Sequence, residues 1–422
     1  MIRCNPLNVM TRYALVILIL ATAAQLAGAE WYQFRGPTGQ GTTDSTNLPL
    51  QWDQSDNVRW KEALPGQGWS SPVLSGNHIY LTAAVALKDT EKPDLSLRTL
   101  CLNQQDGKVV WSTEVFRAKG ATSPKIHSKN SPASPTPIVR KGRIYVHFGH
   151  QGTACLSVDG KLLWRNERLP YKPVHGNGGS PVLHEGKLFF SIDGATQASV
   201  VALNATDGKL AWRMDRKSTA SRKFSFTTPT IIQIDGQSQL ISPASDVVHA
   251  LDPTDGSILW QVRYDGYSVI PRPVYGNGLV YICTGYNTPS LLAIRPTGKG
   301  DVTDSHVAWT VKKGIPHTPS LMLLDEELYM VSDRGIASCL NALTGESYWQ
   351  HRIGSAYSAS PVYSEGKIYF LSEDGVTTVV KRSQEFKQLA VNKIGERTLA
   401  SFAPATDTLY IRTAKHLFRV GE

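Results

Sequence analysis

The sequence has few cysteines and no long apolar run beyond its N-terminus. Its 5 cysteines in 422 residues include no adjacent pair and no C-x-x-C pair, so neither a zinc site of that spacing nor a redox dithiol is indicated. The 44 basic and 35 acidic residues are spread along the chain without a dense basic tract. This distribution argues against a nucleic-acid-binding protein.

Short catalytic motifs are also missing. The sequence contains no G-x-S-x-G nucleophile elbow, no H-E-x-x-H zinc pair and no phosphate-cradling glycine loop. It does contain 35 Gly, 24 Pro and 10 Trp, and 41% of its residues are hydrophobic. This composition favours a large all-β fold, because Trp packs on pleated surfaces while Gly and Pro form the turns between strands.

Residues 1–29 have the pattern of a cleaved signal peptide. Two arginines precede an apolar run over residues 14–24, and Ala27-Gly28-Ala29 matches the small-residue site of signal peptidase. The run is too short to span a bilayer comfortably, and Cys4 precedes it, whereas a lipoprotein cysteine would follow it. We therefore predict a periplasmic or secreted protein with no transmembrane anchor after cleavage. Loss of both arginines changes the net charge from +9 to 9 − 2 = +7.

Two motifs recur through the rest of the chain. One is a D/T-G-K-x-x-W turn, whose aromatic position is occupied by Trp60, Trp111, Trp164, Trp212, Trp260, Trp309, Trp349 and Phe386. The other is a proline step that opens an apolar strand, at Pro72, Pro137, Pro181, Pro229, Pro273, Pro319, Pro361 and Pro404. Successive prolines are 65, 44, 48, 44, 46, 42 and 43 residues apart. Four-stranded propeller blades have a similar period, and the segments between the markers alternate as strands do.

The eight interleaved pairs of markers predict an all-β, eight-bladed β-propeller of four-stranded antiparallel blades. The first strand lies near Trp60 on the outer side of a blade, and the chain ends after an inner strand at residues 417–420. We therefore expect the N-terminal strand to complete the C-terminal blade, which closes the ring and leaves no open edge. The extended segment 30–56, with Trp31, Phe34 and Trp52, is expected to lie across the propeller surface and to be pinned there.

The phrases at 202–212, 250–260 and 339–349 resemble the tryptophan-docking repeat of the quinoprotein family. Further segments, 34–37, 127–131, 175–181 and 357–361, are similar to secreted bacterial PQQ-like propellers, to which the BamB-type propellers are related. The resemblance implies a single domain over residues 57–422. It also implies that each indole packs between neighbouring blades while its N–H donates to a backbone acceptor.

The resemblance does not extend to the catalytic and cofactor-binding residues of the quinoprotein enzymes. Quinoprotein dehydrogenases are longer and hold their quinone with an adjacent-cysteine disulfide, a calcium ion on acidic and amide side chains, and a catalytic aspartate. No such contact residues are recognisable here, so we predict no cofactor, with PQQ and calcium as an alternative. Cys101, Cys155 and Cys339 occupy the repeat position of Ala202 and Ala250, and Cys283 lies in a strand interior. Buried free thiols are therefore predicted, with a disulfide as the alternative.

Two sets of loops share one face of such a propeller: those that lead into the innermost strands and those between second and third strands. The first set carries the candidate binding residues His127, Lys129, Asn130, His175, Asn177, Arg272, His317 and Tyr357. The second set is rich in acids, at Asp193, Asp246, Asp333, Glu373 and Asp374. We expect Lys129 and Arg272 to supply charge. Asn130 and Asn177 would pair with ligand groups, and Tyr357 would offer a stacking face.

Several interpretations of this mouth stay open. It could bind an anionic or polyhydroxy ligand or a partner's peptide loop, or its residues could simply form turns and cap neighbouring carbonyls. Its three histidines could ligate a metal, or His and Asp could form an acid–base pair, although these residues come from separate blades. We predict a monomeric, non-catalytic binding or scaffolding module of the bacterial envelope, with an envelope protein or a glycan as partner. A PQQ-dependent oxidoreductase and a glycan lyase or hydrolase are the alternatives.

One loop is unusually long. It has 25 residues between Trp111 and Pro137, against 9 to 17 in the equivalent connections, and it carries Lys119, Lys125, His127 and Lys129. A lid or a partner-docking arm is one interpretation, and a meandering surface loop is the other.

Overall fold

The computed structural model describes residue 1 and residues 30–287 and 289–421, so residues 2–29 of the predicted signal peptide lie outside the described residues. The described residues form eight separate sheets arranged as blades, which confirms the predicted eight-bladed propeller. Within the same ranges, no helix has the length and apolar composition needed to cross a bilayer.

The first strand, β1 (Val58–Ala63), belongs to the last blade, and the other strands follow in chain order from the inner to the outer edge of each blade. Blade 1 contains β2 (Val73–Ser75), β3 (His78–Ala86), β4 (Leu95–Asn103) and β5 (Val109–Ala118). Blade 2 contains β6 (Ile138–Arg140), β7 (Arg143–His147), β8 (Thr153–Ser157) and β9 (Leu162–Asn166). Blade 3 contains β10 (Val182–His184), β11 (Lys187–Ser191), β12 (Ser199–Asn204) and β13 (Leu210–Asp215). Blade 4 contains β14 (Thr230–Ile234), β15 (Gln237–Ala244), β16 (Val247–Leu251) and β17 (Ile258–Arg263).

Blade 5 contains β18 (Val274–Gly276), β19 (Leu279–Cys283) and β20 (Leu291–Ile294), then the short β21 (Gly300–Asp301), which joins blade 4, and the outer strand β22 (Val307–Val311). Blade 6 contains β23 (Met322–Leu324), β24 (Glu327–Val331), β25 (Ile336–Asn341) and β26 (Ser347–Arg352). Blade 7 contains β27 (Val362–Ser364), β28 (Lys367–Leu371), β29 (Val376–Lys381) and β30 (Gln388–Lys393). Blade 8 contains β31 (Ala403–Ala405), β32 (Thr408–Arg412), β33 (His416–Gly421) and β1. Helical turns occur at Gly120–Thr122, Gly149–Gln151 and Thr303–His306.

Two details of the predicted repeat need correction. Blade 4 has five strands, because the Gly-rich insertion in blade 5 lets β21 pair in parallel with β17. In six blades the marker proline immediately precedes the inner strand, but Leu321 and Phe402 occupy this position in blades 6 and 8. Pro319 therefore lies two residues before the repeat position of blade 6, and Pro404 lies two residues after that of blade 8. Leu321 and Phe402 are fully buried, so the position requires an apolar, extended residue and does not require proline.

The ring closes at the predicted place. β1 pairs in antiparallel register with β33, from Val58 opposite Val420 to Ala63 opposite His416. Glu396, in the loop between blades 7 and 8, strengthens this junction. Its Oε1 lies 2.7 Å from Lys61 Nζ of β1 and 2.8 Å from His416 Nδ1 of β33. The outer edge of blade 8 is thus covered by the chain's own N-terminal strand.

The tryptophans join neighbouring blades as the resemblance implies. Six indole N–H groups donate to a main-chain carbonyl in the next blade over 3.0 to 3.2 Å, from Trp60, Trp111, Trp164, Trp212, Trp309 and Trp349. Five of these rings also lie against the glycine of the next D/T-G turn or its equivalent. Trp260 differs, because its N–H donates to Gln239 Oε1 within its own blade. Phe386 has no N–H and packs on Trp349 at a centroid distance of 5.2 Å.

All four described cysteines are buried free thiols, as predicted. Cys101, Cys155 and Cys339 lie directly opposite Trp111, Trp164 and Trp349 in the β-ladder, where other blades place alanine. Burial raises the pKa of Cys155 to about 11, so the thiol is neutral and behaves as a small apolar side chain.

The N-terminal segment does not lie across the outer surface but passes through the central channel. The axis-facing N–H groups of Leu74 and Val139 donate to the carbonyls of Trp31 and Tyr32, each over 2.9 Å. On the other side of the channel, the N–H of Tyr363 donates to the carbonyl of Gly41 over 3.0 Å. We call residues 31–43 the axial plug. It satisfies inner-strand donors that would otherwise face an open channel.

After the plug, the chain runs outward along blade 7, from its inner strand to its outer strand. Ser364 donates to the carbonyl of Ser45 over 2.6 Å, and farther out Asn392 Oδ1 accepts a hydrogen bond from the N–H of Trp52 over 3.0 Å. Trp31 and Trp52 are buried in a core cluster together with residues of blades 1, 7 and 8. The predicted pinning is therefore confirmed, and the route explains how the N-terminus reaches the outer edge of blade 8.

Candidate functional site

A ring of hydroxyl groups surrounds the axis at the level where the inner strands begin. The residue two positions before each inner strand is Ser or Thr in seven blades: Ser71, Thr136, Ser180, Thr228, Ser320, Ser360 and Ser401. Backbone N–H groups donate to the hydroxyl of the next blade over 2.9 to 3.1 Å at seven of the eight junctions. Blade 5 carries Arg272 at this position, so the ring of hydroxyls is interrupted once.

Above this ring, on the face of the long loop, lies a cavity of about 540 Å³. Phe34 of the axial plug and the hydroxyl ring form its floor, and loops from most blades form its wall. The volume is in the range of small-ligand sites, which are concave and lined by apolar groups with a few polar ones. We call this space the mouth cavity.

A chain of six rings lines one side of the mouth cavity, with successive centroids 5.4 to 5.8 Å apart: His127, His175, Phe224, Tyr267, Tyr286 and His317. All six belong to the cavity wall. Most neighbouring pairs meet edge to face, the arrangement that aromatic quadrupoles favour. We call this set the aromatic arc. It presents flat apolar faces beside the ring of hydroxyls.

The charges at the mouth are mostly already paired. Lys129 lies 2.7 Å from Glu373, which also accepts a hydrogen bond from Ser358. Asp333 accepts hydrogen bonds from the backbone N–H of His317 over 2.6 Å and from the hydroxyl of Thr318. Both carboxylates thus hold loops in place.

Basic side chains near the arc affect two of its rings, Tyr267 and His175. The guanidinium of Arg222 lies 4.9 Å from the ring centroid of Tyr267 and donates to its hydroxyl. Burial, followed by the positive charges of His127, Arg222 and Lys125, lowers the pKa of His175. These effects favour the neutral form of the His175 imidazole.

The long loop crosses the mouth. On one side, the N–H of His127 and the side chain of Asn130 both donate to the carbonyl of His175, over 3.2 and 3.0 Å. On the far side, Arg397 donates to the carbonyl of Ser128 over 2.9 Å, and Lys129 reaches Glu373. We call residues 119–130 the arm. It connects the entrance of blade 3 with blades 7 and 8 and partly covers the mouth cavity.

The structure brings five of the predicted site residues together on the wall of the mouth cavity: His127, Lys129, Asn130, His175 and His317. The other three do not line it.

Tyr357 is fully buried, and its hydroxyl donates to the carbonyl of Ile353, so it offers no stacking face. Asn177 accepts a hydrogen bond from Tyr171 behind the wall. Arg272 is buried in the channel below the cavity, where Nη1 donates to the carbonyl of Phe34 over 2.7 Å.

Sequence reasoning missed several wall residues, chiefly Phe34, Trp69, Arg222, Phe224 and Tyr267. Four of them lie in loops that lead into inner strands, so their face of the ring was predictable. Which of their rings turn toward the axis was not predictable, because adjacent loop residues point in different directions. Phe34 comes from the axial plug, whose position no repeat marker indicates.

The cavity wall does not match the calcium and quinone site that the resemblance to quinoproteins implies. Its one carboxylate in the described chain, Asp333, is held by loop donors, and Glu373 outside the wall pairs with Lys129. Across residues 30–287 and 289–421, no three His, Cys, Asp or Glu side chains converge in a geometry that could hold a metal ion. The cysteines that could form a disulfide next to a quinone lie instead in separate buried strands. These residues do not fit a calcium-bound quinone.

The architecture defines a closed eight-bladed propeller with an axial plug and a ligand-sized cavity. A family model described as "Outer membrane protein assembly factor BamB" matches residues 42–192 and 196–420. The chain therefore belongs to this family of PQQ-like propellers, which includes both non-enzymatic proteins and enzymes.

Individual relatives are distant. The outer membrane protein assembly factor BamB of Yersinia pestis is 25% identical over 218 residues, which are 46% of this chain and 52% of that protein. The tetrathionate hydrolase of Acidithiobacillus ferrooxidans is 22% identical over 343 residues, 74% of this chain and 64% of that enzyme. The matches thus cover less than two thirds of either curated relative. The crystal structure of BamB from Moraxella catarrhalis has a TM-score of 0.55 at 13% identity, with 86% of this chain and 99% of that chain covered, which shows a shared fold.

Proposed function

We propose that this protein is a non-catalytic binding propeller of the bacterial envelope, periplasmic or secreted, whose mouth cavity holds the ligand or partner. The observation that carries this proposal is the aromatic arc above the ring of hydroxyls. Flat rings beside a dense set of hydroxyls suit a neutral polyhydroxy ligand, because sugars present apolar C–H faces to rings and hydroxyls to polar groups. A short glycan is therefore the ligand class that the cavity fits best.

The chemistry of the wall supports binding over turnover. Hydrolysis of a glycosidic bond requires two carboxyl groups that flank the bond, one as acid and one as base or nucleophile. Among the described residues, the wall of the mouth cavity contains one carboxylate, Asp333, which is committed to loop contacts. Glu373 lies outside the wall and is committed to Lys129 and Ser358. His175, the most central histidine of the arc, has no carboxylate partner in the described part of the chain. Neither a glycosidase nor a calcium quinoprotein is supported by these side chains.

A second candidate ligand is a peptide loop of an envelope protein. Membership of the BamB family favours it, since the relative from Yersinia pestis is named an outer membrane protein assembly factor. The arm and the exposed ring of Tyr286, which is 54% exposed, would then form the docking surface. A partner loop that inserts an aromatic or proline side chain would fill the same arc.

Calorimetric titration of the purified chain with a panel of neutral oligosaccharides tests the proposal. We expect saturable binding of at least one oligosaccharide, and a loss of affinity of about tenfold or more in Tyr267→Ala and Tyr286→Ala, because each removes one stacking face. Tyr348→Ala is the matched control, because Tyr348 lies near the opposite face and hydrogen-bonds Asn341.

The results separate the candidates. Saccharide binding that the two arc variants lose and the control keeps would support the glycan proposal. Cross-linking of the arm to an envelope protein, without saccharide binding, would favour the peptide candidate. Release of products from any bound saccharide would contradict the non-catalytic proposal.

A further inference from the structure

A second cavity, of about 240 Å³, lies at the opposite end of the channel from the mouth. The axial plug forms one wall, with Gln33 and Thr38, and the inner strands of blades 2, 3 and 4 form the other. Arg140 and His184 are the last residues of their inner strands, next to the first hairpins, which places this cavity at the face away from the aromatic arc. We call it the lower cavity. It is independent of the proposed ligand site.

Arg272 reaches into the lower cavity from the level of the hydroxyl ring. Its residue is 3% exposed, Nε donates to Thr230 Oγ1 over 3.1 Å and Nη1 donates to the carbonyl of Phe34 over 2.7 Å. Among the described residues, no carboxylate pairs with this guanidinium and Nη2 has no hydrogen-bond partner. Burial lowers the pKa of Arg272 to about 10, which leaves the group charged at neutral pH.

A second buried guanidinium increases the excess of positive charge in the channel. Arg35 of the axial plug is 2% exposed and donates through Nη2 to the carbonyls of Gln40 and Leu321, over 2.5 and 2.6 Å. Its Nε and Nη1 are buried without a partner. Burial, and then the charge of Arg272, lowers the pKa of Arg35 to about 9. Two buried cations without an acidic partner are unfavourable unless an anion compensates them.

Backbone donors also face the lower cavity. In blades 1 and 2, the axis-facing N–H of the second inner-strand residue is covered by the axial plug, through Trp31 and Tyr32. Leu183 and Ile231 are the second inner-strand residues of blades 3 and 4. The first hairpin of blade 4 is two residue pairs longer, but both residues occupy non-hydrogen-bonded positions of their ladders, as Leu74 and Val139 do. Their N–H groups therefore point toward the axis as well, but the described plug residues supply no acceptor to them. Both residues line the lower cavity.

From this arrangement we infer that the lower cavity binds a small oxyanion, such as phosphate or sulfate, between the guanidinium of Arg272 and the inward N–H groups of Leu183 and Ile231. A guanidinium presents parallel N–H donors that match the oxygens of such anions, and backbone N–H groups complete the coordination. Arg140 also lines this cavity at its rim, where it forms an exposed ion pair with Glu30 over 3.3 Å. Arg272, which replaces the Ser or Thr that the other seven blades carry at this position, is thus the main anion-binding residue of this site.

Isothermal titration of the purified chain with inorganic sulfate and phosphate, at constant ionic strength set with chloride, tests the inference. We expect one saturable site per chain, and affinity about tenfold or more weaker in Arg272→Ser, because a charged hydrogen bond to the anion is lost. Serine is the residue type that other blades carry at this position, so Arg272→Ser completes the hydroxyl ring and should fold. Arg222→Ser is the matched control, because Arg222 lies in the mouth cavity, and it should bind the anion within about twofold of wild type.

A second readout separates binding from folding. Sulfate should raise the melting temperature of the wild-type chain and of Arg222→Ser but leave that of Arg272→Ser unchanged, since only a competent site couples ligand to stability. Absence of saturable binding, or equal binding by Arg272→Ser and wild type, would overturn the inference. Because the oligosaccharide titration probes the mouth cavity, failure of either proposal leaves the other intact.

Discussion

The backbone N–H of Ser401 donates to Oγ of Ser71 over 3.1 Å and joins the last blade to the first at the axis. At the outer edge of the same blade, β1 pairs with β33. The ring is therefore closed at two radii, by a hydroxyl contact inside and by a strand pair outside. Both contacts connect parts of the chain that are more than 300 residues apart.

We expect Ser71→Ala to destabilise the fold by about 1–3 kcal/mol, because the buried N–H of Ser401 loses its acceptor. Chemical denaturation measures the change in the free energy of unfolding. Ser347→Ala, at an exposed position in β26, should change it by less than about 0.5 kcal/mol. Equal stability of the two variants would show that the hydroxyl ring does not hold the seam together.

The contact between tryptophans and turn glycines can be isolated with two alanine substitutions. Gly208 has φ +71 and a Cβ there would lie 2.4 Å from the ring of Trp164, whereas Gly186 has φ +75 and nothing within 4 Å. Both variants carry the strain of a positive φ, about 1–2 kcal/mol. Only Gly208→Ala also displaces an indole, so we expect it to be less stable than Gly186→Ala by about a further 1–3 kcal/mol. Thermal or urea unfolding of both variants makes the comparison, and similar losses would refute indole docking as a source of stability.

Glu396 makes the closing blade sensitive to acid. Burial opposes ionisation of this carboxyl, but contacts from Lys61, His416 and Thr413 together lower its pKa from 4.5 to about 2. Because the folded-state pKa is below the unfolded one, the carboxylate stabilises the fold above about pH 4.5, and this contribution is lost as the pH falls toward 2. We therefore expect the free energy of unfolding to decline more steeply between these pH values in wild type than in Glu396→Gln. Glu91→Gln, in an exposed loop, should follow the wild-type profile, and a parallel decline in all three proteins would contradict this role.

Glu373 holds the arm over the mouth cavity through Lys129. Since the ion pair is partly exposed, it contributes at most about 1 kcal/mol, which corresponds to a change of about two- to fivefold in the opening equilibrium. Glu373→Gln should accordingly increase the rate of tryptic cleavage after Lys119 or Lys125 by about that factor. The exposed Glu326 provides the control substitution, Glu326→Gln, and unchanged cleavage of Glu373→Gln would show that the arm is held by its other contacts alone.

The sequence contained enough information for the blade count, the closure and the docking tryptophans. These features come from hydrogen bonds and packing that repeat at a fixed interval, so a spacing near 45 residues reveals them. The burial of Cys101 as a free thiol followed in the same way, because cysteine and alanine occupy one repeat position. The proline marker was less reliable, because other apolar residues can occupy its position. In blades 6 and 8 this position is Leu321 and Phe402, so Pro319 and Pro404 placed the start of the inner strand two residues away from its true position.

The site was predicted only in part. Loop position along the repeat correctly indicated the face on which His127, His175 and His317 meet. It did not indicate side-chain direction, so Tyr357 and Arg272 were expected at the mouth, whereas one is in the core and the other turns down the channel.

By itself the sequence determined the number of blades and their order, because each blade is a local antiparallel sheet whose period is visible along the chain. Only the tertiary structure decided what fills the axis. The axial plug, the aromatic arc and the lower cavity each join residues from several blades, and their contacts depend on how eight separate loops converge around one axis. Sequence spacing carries no signal for such convergence, since residues that face each other across a channel have no common period.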